Sequence, residues 1–301
     1  MLVPGPASRM DWKALARAGL WSVGFLLLAY LIAALLAVVV AVLVAPAGTG
    51  AEAGVAAWLA SPGPGAALVM ALSTLVGALA ATYLVGVRRF RWSGARLRWT
   101  AVGRPLRGLG VGLLYGIVPA IGVLMASAAL GHARWIPGHG SIGASALSAG
   151  GLVLVLAPAA LAEEVLFRGV PLVALGDVVG PGTAVTVLAA VFGLAHLPNP
   201  NVTGLAVANV ALAGVLLGTL FYGSGGIWTA FGAHLGWNLC LAASGAVVSG
   251  IPFDIPWLAY HGGGPQWLTG GSFGPEGGLL ATIMIALAVV VAARRARRNT
   301  A

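Results

Sequence analysis

Long runs of apolar residues, separated by short polar or glycine-rich segments, dominate the pattern of this 301-residue chain. The hydrocarbon core of a bilayer is about 30 Å thick and needs roughly 20 mostly apolar residues per helical crossing. The pattern therefore predicts an all-α, polytopic transmembrane helix bundle of about eight spans. The predicted spans are Leu20–Val44, Ala66–Val87, Leu109–Leu130, Ala146–Leu175, Thr183–Leu197, Val202–Tyr222, Ile227–Val248 and Gly277–Ala293.

The order of these spans divides the chain into three parts. Residues 1–145 are predicted to hold the first membrane spans and a basic loop, residues 88–107, at the membrane interface. Residues 146–248 are predicted to form a four-helix membrane core. Residues 249–301 would contain a long loop, the last span and a basic tail. The loop at 249–276 is rich in Gly, Pro and aromatic residues, and its sequence is compatible with a lid or an irregular connector.

Glycines recur every fourth residue in two of the predicted spans. One series is Gly108, Gly112 and Gly116, and the other is Gly214 and Gly218. Small residues at this spacing allow two membrane helices to approach closely. We therefore expect each series to form a helix-packing face.

Composition excludes a soluble globular protein. The chain is 59% hydrophobic and only 8% charged, whereas soluble domains average about 25% charged residues. The single cysteine, Cys240, excludes an internal disulfide and a thiolate-rich metal site. The first apolar run is a full span with no evident cleavage site, so no cleavable signal peptide is expected.

Basic residues predict the orientation. Fourteen of the 16 lie in the N-terminal segment, the basic loop or the C-terminal tail. Eight spans threaded in order place all 14 on one side, so both termini are predicted to be cytoplasmic. The net charge of +9 is thus explained by a lipid bilayer and not by nucleic acid. Arginine outnumbers lysine 15 to 1, and Gly and Ala abound, which favours a GC-rich genome and a bacterial cell membrane.

Several ionisable or strongly polar side chains fall inside the predicted spans, where they cost several kcal/mol unless they face a polar cavity or one another. Glu164 and Arg168 are four residues apart and can pair on one helix face. Glu163 is turned about 100° away and needs another partner. His234 and Asn238 are also four apart. The complete set is Glu163, Glu164, Arg168, His196, His234 and Asn238.

Depth allows three of these side chains to meet. Counted from the cytoplasmic ends of their spans, Glu163, His196 and His234 lie ~10–20 Å deep. A carboxylate beside two imidazoles can hold and deprotonate water, and an imidazole with an amide can donate to an oxyanion. This combination is typical of acyl-bond hydrolysis. Taken singly, each residue also has a structural interpretation, as an ion pair, a buried histidine or an interhelical hydrogen bond.

Three ordered motifs resemble a known family. The motifs are "EEVLFR" at 163–168, "FGLAH" at 192–196 and "HLGWN" at 234–238. Their residue types and spacing resemble those of the type II CAAX-prenyl-endopeptidase and bacteriocin-processing family (CPBP) of intramembrane proteases. The resemblance covers about residues 158–240, and the rest of the chain is similar only in forming hydrophobic spans.

The resemblance implies a role for each motif residue. Glu163 would be the general base that activates water, with His196 helping to hold that water. His234 and Asn238 would form the oxyanion hole. Glu164 and Arg168 would support this geometry.

The resemblance leaves the cofactor open, because the family has been described both as metalloproteases and as metal-independent glutamate proteases. Glu163, His196 and His234 could supply three zinc ligands. No His-Glu-x-x-His helix is present, however, and the same side chains suffice without metal. We favour catalysis without a cofactor.

The function that the resemblance implies is that of an intramembrane endopeptidase. Its substrate would be a membrane-anchored protein or peptide, and prenylated, CAAX-like proteins are among the substrates that the resemblance implies. Two alternatives stay open. One is a non-catalytic bacteriocin-immunity or membrane-binding protein of the same family. The other is a proton-coupled transporter, which would be expected to have two related halves, whereas the polar residues here lie only in the second half.

Overall fold

The computed structural model describes residues 11–44, 50–60, 63–99 and 105–298. Arg9 and Arg104, which contribute to the predicted orientation, lie outside these ranges. Within them the fold is an all-α bundle with one small sheet. Its helices are α1 (Trp12–Val44), α2 (Ala51–Ala60), α3 (Pro64–Ala81), α4 (Pro105–Ala129), α5 (Ile142–Arg168), α6 (Val170–Val179), α7 (Pro181–Ala195), α8 (Gly204–Leu220), α9 (Ile227–Ala243), α10 (Gln266–Thr269) and α11 (Leu279–Arg298).

Each of the eight predicted spans coincides with a helical segment. Among the described residues, six segments are long and apolar enough to cross a membrane. Two of these continue as π-helices, α3 through Thr82–Arg89 and α8 through Phe221–Gly225. The other two predicted spans correspond to α7, with 15 residues, and α9, with 17, which are about 22 and 26 Å long. The bundle is confirmed, whereas the number of spans and the orientation stay predictions.

The fourth predicted span, Ala146–Leu175, lies within the apolar segment Ile142–Val179, which is not one continuous helix. The structure divides it into α5 and α6 at Gly169, whose backbone has φ −82° and ψ −123°. A Cβ at Gly169 would overlap the carbonyl oxygen of Val165. Pro171 then lies in the first turn of α6. Its missing N–H has no energetic cost there, because the first N–H groups of a helix have no partner within the helix. The glycine and the proline therefore let the chain leave one helix and start another within a buried segment.

The loop at 249–276 contains regular structure that the sequence did not predict. Its segment β2 (Leu258–Gly262) pairs antiparallel with β1 (Ala133–Pro137), which lies between α4 and α5. Trp135 and Tyr260 are partners in the register, and their rings meet edge to face with centroids 5.5 Å apart. This part of the loop is therefore held against the segment between α4 and α5.

The basic loop is attached to the start of α9. The Arg98 guanidinium donates hydrogen bonds to the carbonyl oxygens of Phe221 and Tyr222, at 2.9 and 2.8 Å. The backbone oxygens of Arg98 and Trp99 accept from the Ile227 amide and the Trp228 indole. Helix α9 therefore begins beside the basic loop and runs away from it.

Helices α4 and α9 pack backbone against backbone. A Cβ at Gly112 or Gly116 would overlap the carbonyl oxygens of Thr229 and Ala233, respectively. A Cβ at Gly232 would in turn overlap a carbonyl oxygen of α4. The first predicted glycine face is thus confirmed. The second is confirmed as well, because Gly214 and Gly218 pack against Ala189 and Val185 of α7.

We expect Gly116→Ala to lower the free energy of unfolding by about 1–3 kcal/mol, because the added methyl group forces α4 and α9 apart. Gly110→Ala is the matched control on the same helix, since nothing lies within 4 Å of a Cβ there. That control should be neutral or stabilising by up to roughly 1 kcal/mol. The measurement is thermal unfolding in one detergent, and equal midpoints for the two variants would contradict the packing described.

Candidate active site

The last two turns of α5 carry two adjacent glutamates in different environments. The Glu164 side chain is fully buried, whereas 34% of the Glu163 side chain is exposed. Successive helical residues point about 100° apart, so one helix directs the two carboxylates to different neighbours.

The Glu164 carboxylate is paired with Arg168, as the spacing predicts. Arg168 Nη1 lies 3.1 Å from Glu164 Oε1, and both side chains are buried. Arg168 Nη2 donates to the carbonyl oxygen of Gly214 on α8, at 3.3 Å. The guanidinium also lies over the Phe192 ring of α7, 4.4 Å from its centroid. This one cation therefore connects α5, α7 and α8.

Glu164 has a second partner that the sequence analysis did not assign. Nδ1 of His234, on α9, lies 2.8 Å from the same oxygen, Glu164 Oε1. The N–H on Nδ1 donates to this carboxylate, which fixes the orientation of the ring. His234 Nε2 is then directed towards Glu163, 3.8 Å from its Oε2 atom.

His196 reaches the same carboxylate from the end of α7, which it caps. Its Nδ1 lies 2.8 Å from the backbone oxygen of Phe192, to which it donates. Its Nε2 lies 4.0 Å from Glu163 Oε2. Phe192 also packs against both imidazoles, with ring centroids 4.8 Å from His196 and 6.0 Å from His234.

The Glu163 carboxylate thus faces two imidazole nitrogens across short gaps. Distances of 3.8 and 4.0 Å are too long for direct hydrogen bonds and suit one water that bridges the groups. Glu163 Oε2 is itself buried and makes no hydrogen bond within the described part of the chain. The arrangement can hold a water between the Glu163 carboxylate, which can accept a proton, and the two imidazole nitrogens.

Glu163, His196 and His234 are the three residues that could supply ligands to a metal ion. Both imidazoles use Nδ1 for an internal hydrogen bond, as metal-ligating histidines do. Among the described residues, however, no group of three or more His, Cys, Asp or Glu side chains is arranged to hold a metal ion. No step below depends on a bound ion.

Asn238 lies one helical turn beyond His234 on α9. Both side chains, with His196, line a partly open cavity with a volume of about 60 Å³. Most of its remaining wall is apolar and comes from α4, α8, α9 and α11. The imidazoles therefore contact both the cavity and the Glu163 carboxylate.

The sequence analysis missed one carboxylate at this cavity. Glu276, in the turn Pro275–Gly277, is buried and lines the same space as His196 and His234. It is one of only seven acidic residues and directly precedes the last predicted span. That position was the available signal. The assignment of residues 249–276 to a loop hides this signal.

Comparison with known families agrees with the motifs. Residues 145–240 match the family model described as Type II CAAX prenyl endopeptidase Rce1-like. The match spans about a third of the chain and contains all six predicted site residues. No curated protein and no solved structure gives a significant match. The match supports a CPBP family intramembrane protease.

We expect Arg168→Met to lower the free energy of unfolding by about 3–5 kcal/mol, because it leaves the buried Glu164 carboxylate without its cation. Asp177→Asn is the control. It breaks the Arg96–Asp177 pair, whose side chains are about half exposed, and should cost at most about 1 kcal/mol. Both are measured by denaturant titration in detergent micelles. An Arg168→Met variant as stable as the control would show that the pair does not support the site.

Proposed function

We propose that this membrane protein is an endopeptidase that hydrolyses a peptide bond of a membrane-associated protein, with water activated by Glu163. The observation that carries the proposal is the placement of Glu163 Oε2 opposite two imidazole nitrogens, at 3.8 and 4.0 Å, beside a cavity. A protein or peptide with a prenylated, CAAX-like C-terminus is one substrate that the family match supports.

The first step is attack by water. The Nδ1–H group of His196 donates a hydrogen bond to the Phe192 oxygen, so the Nε2 lone pair can accept a hydrogen bond from the water. Glu163 removes a proton while the water oxygen forms a bond to the scissile carbonyl carbon. The carbonyl π electrons move to oxygen, which leaves a tetrahedral oxyanion.

The oxyanion needs donors on the cavity side. The Asn238 amide supplies one, and a His234 ring protonated on both nitrogens supplies another from Nε2. Glu164 stabilises that cationic ring, because its carboxylate accepts from Nδ1 at 2.8 Å. Arg168 in turn balances the Glu164 charge. The buried pair thus acts through His234 and does not touch the substrate.

The second step breaks the peptide bond. Glu163 returns the proton it received to the leaving nitrogen as the C–N bond breaks. The products are a carboxylic acid and an amine, and Glu163 is again ionised. Water is the only co-reactant, so atoms and charge balance over the cycle.

We expect Glu163→Gln to reduce cleavage at least about 100-fold, because an amide cannot accept the proton of the attacking water. The assay uses purified protein with a prenylated reporter peptide and a panel of membrane-protein fragments. Asp177→Asn, remote from the cavity, is the control for changing a carboxylate to an amide. Undiminished, time-dependent cleavage by Glu163→Gln would overturn the role of this residue. A binding protein or a transporter would show no cleavage in any variant.

Chelation should leave cleavage unchanged, because the proposed steps use only side chains and water. Protein is incubated with a strong divalent-metal chelator, and the rate is compared with that of an untreated sample. A loss of activity that added zinc restores would contradict this expectation and assign Glu163, His196 and His234 as ligands.

A further inference from the structure

Glu276 is a buried carboxylate that none of the proposed steps uses. It is 5% exposed and lies in the turn immediately before α11. Its side chain lines the same cavity as His234 and Asn238. Glu276 is thus a third carboxylate near the cavity, in addition to Glu163 and Glu164.

The Glu276 carboxylate is held by groups from separate elements. Asn209 Nδ2 of α8 donates to its backbone oxygen at 2.8 Å. The Trp237 indole N–H of α9 donates to Oε2 at 2.8 Å, and the Ser249 hydroxyl donates to Oε1 at 2.5 Å. A side chain fixed in this way is positioned in advance for a ligand.

The donors to this carboxylate carry no charge. Within the described ranges, Glu276 makes no ion pair with an Arg, Lys or His side chain. A carboxylate has about four acceptor sites, and the two side-chain donors use two of them. In a mostly apolar cavity, attraction to a cation is much stronger than in water.

The position of Trp237 locates this carboxylate relative to the imidazoles. Trp237 lies three residues beyond His234, on a neighbouring part of the α9 surface and about 4.5 Å further along the helix. Because α9 begins at the basic loop, Glu276 marks the end of the cavity away from that loop. The cavity wall also includes the apolar side chains of Val210, Leu217 and Ile285.

We propose that Glu276 makes this end of the cavity a subsite for a cationic group carried on an apolar stem. Lysine and arginine side chains have this form, because their methylene stems bury well while the charged head pairs. The assignment of this cationic group to the substrate rests on the proposed function. The binding of a cation at Glu276 does not rest on it.

The test measures binding without cleavage. The protein is placed in nanodiscs of zwitterionic lipid and titrated with octylammonium or with octanol, which share one apolar chain, and the thermal midpoint is followed. We expect octylammonium to bind about tenfold more tightly than octanol, as for a partly buried ion pair. The preference should disappear in Glu276→Gln and persist in Glu163→Gln, the control for the other carboxylate.

Each other outcome overturns the subsite. Equal binding of the two probes by the unaltered protein shows that no cation is preferred. A preference lost in Glu163→Gln and kept in Glu276→Gln places the cation at the imidazole end. If Glu276→Gln does not fold, Glu276→Asp is used instead, because its side chain is one methylene shorter and moves the charge away from the cavity. An unchanged preference for octylammonium in that variant contradicts the role of Glu276.

A peptide arm separates this proposal from the proposed function. The Glu163→Gln protein is titrated with pairs of peptides that differ only in having Lys or norleucine at one position. It should bind the Lys peptide more tightly, because Glu276 attracts the ammonium group. Preference for Lys without cleavage by the unaltered protein would overturn the protease and keep the subsite. Cleavage without any preference, at every position tested, would overturn the subsite and keep the protease.

Discussion

The Glu164 carboxylate is the charge around which the membrane core is arranged. It is fully buried, and an unpaired charge at that depth would cost several kcal/mol. Arg168 and His234 both bind the same oxygen, at 3.1 and 2.8 Å, so α5 and α9 cannot separate without exposing it. Arg168 extends the constraint to α8 through the Gly214 oxygen and to α7 through the Phe192 ring.

Because of this constraint, the adjacent residues Glu163 and Glu164 have different roles. Glu164 Oε1 is held by the structural partners Arg168 and His234. Glu163, one residue earlier, instead faces the Nε2 atoms of His196 and His234. Each imidazole uses Nδ1 for an internal acceptor, the Phe192 oxygen or Glu164. Both rings are therefore held with the other nitrogen towards Glu163. Environment, not residue type, decides which glutamate can act on water.

Close packing of the helix backbones fixes the distances between the site residues. With no Cβ at Gly112 or Gly116, the α9 backbone lies directly on α4, which sets the depth of His234 and Asn238. Gly214 and Gly218 do the same for α7 and α8, and α7 carries Phe192 and His196. Interlocked backbones have few alternative arrangements, so a shift of one helix by an ångström is resisted by the whole core.

The sequence by itself determined the helical bundle, the two glycine faces and the Glu164–Arg168 pair. All three follow from spacing along one helix or from the length of an apolar run. It also indicated Glu163, His196, His234 and Asn238, because polar side chains in hydrocarbon need partners. Only the tertiary structure decided that His234 pairs with Glu164, that Gly169 divides the fourth span and that Glu276 joins the cavity. Those features depend on which helices meet and at what height, and a one-dimensional pattern records neither.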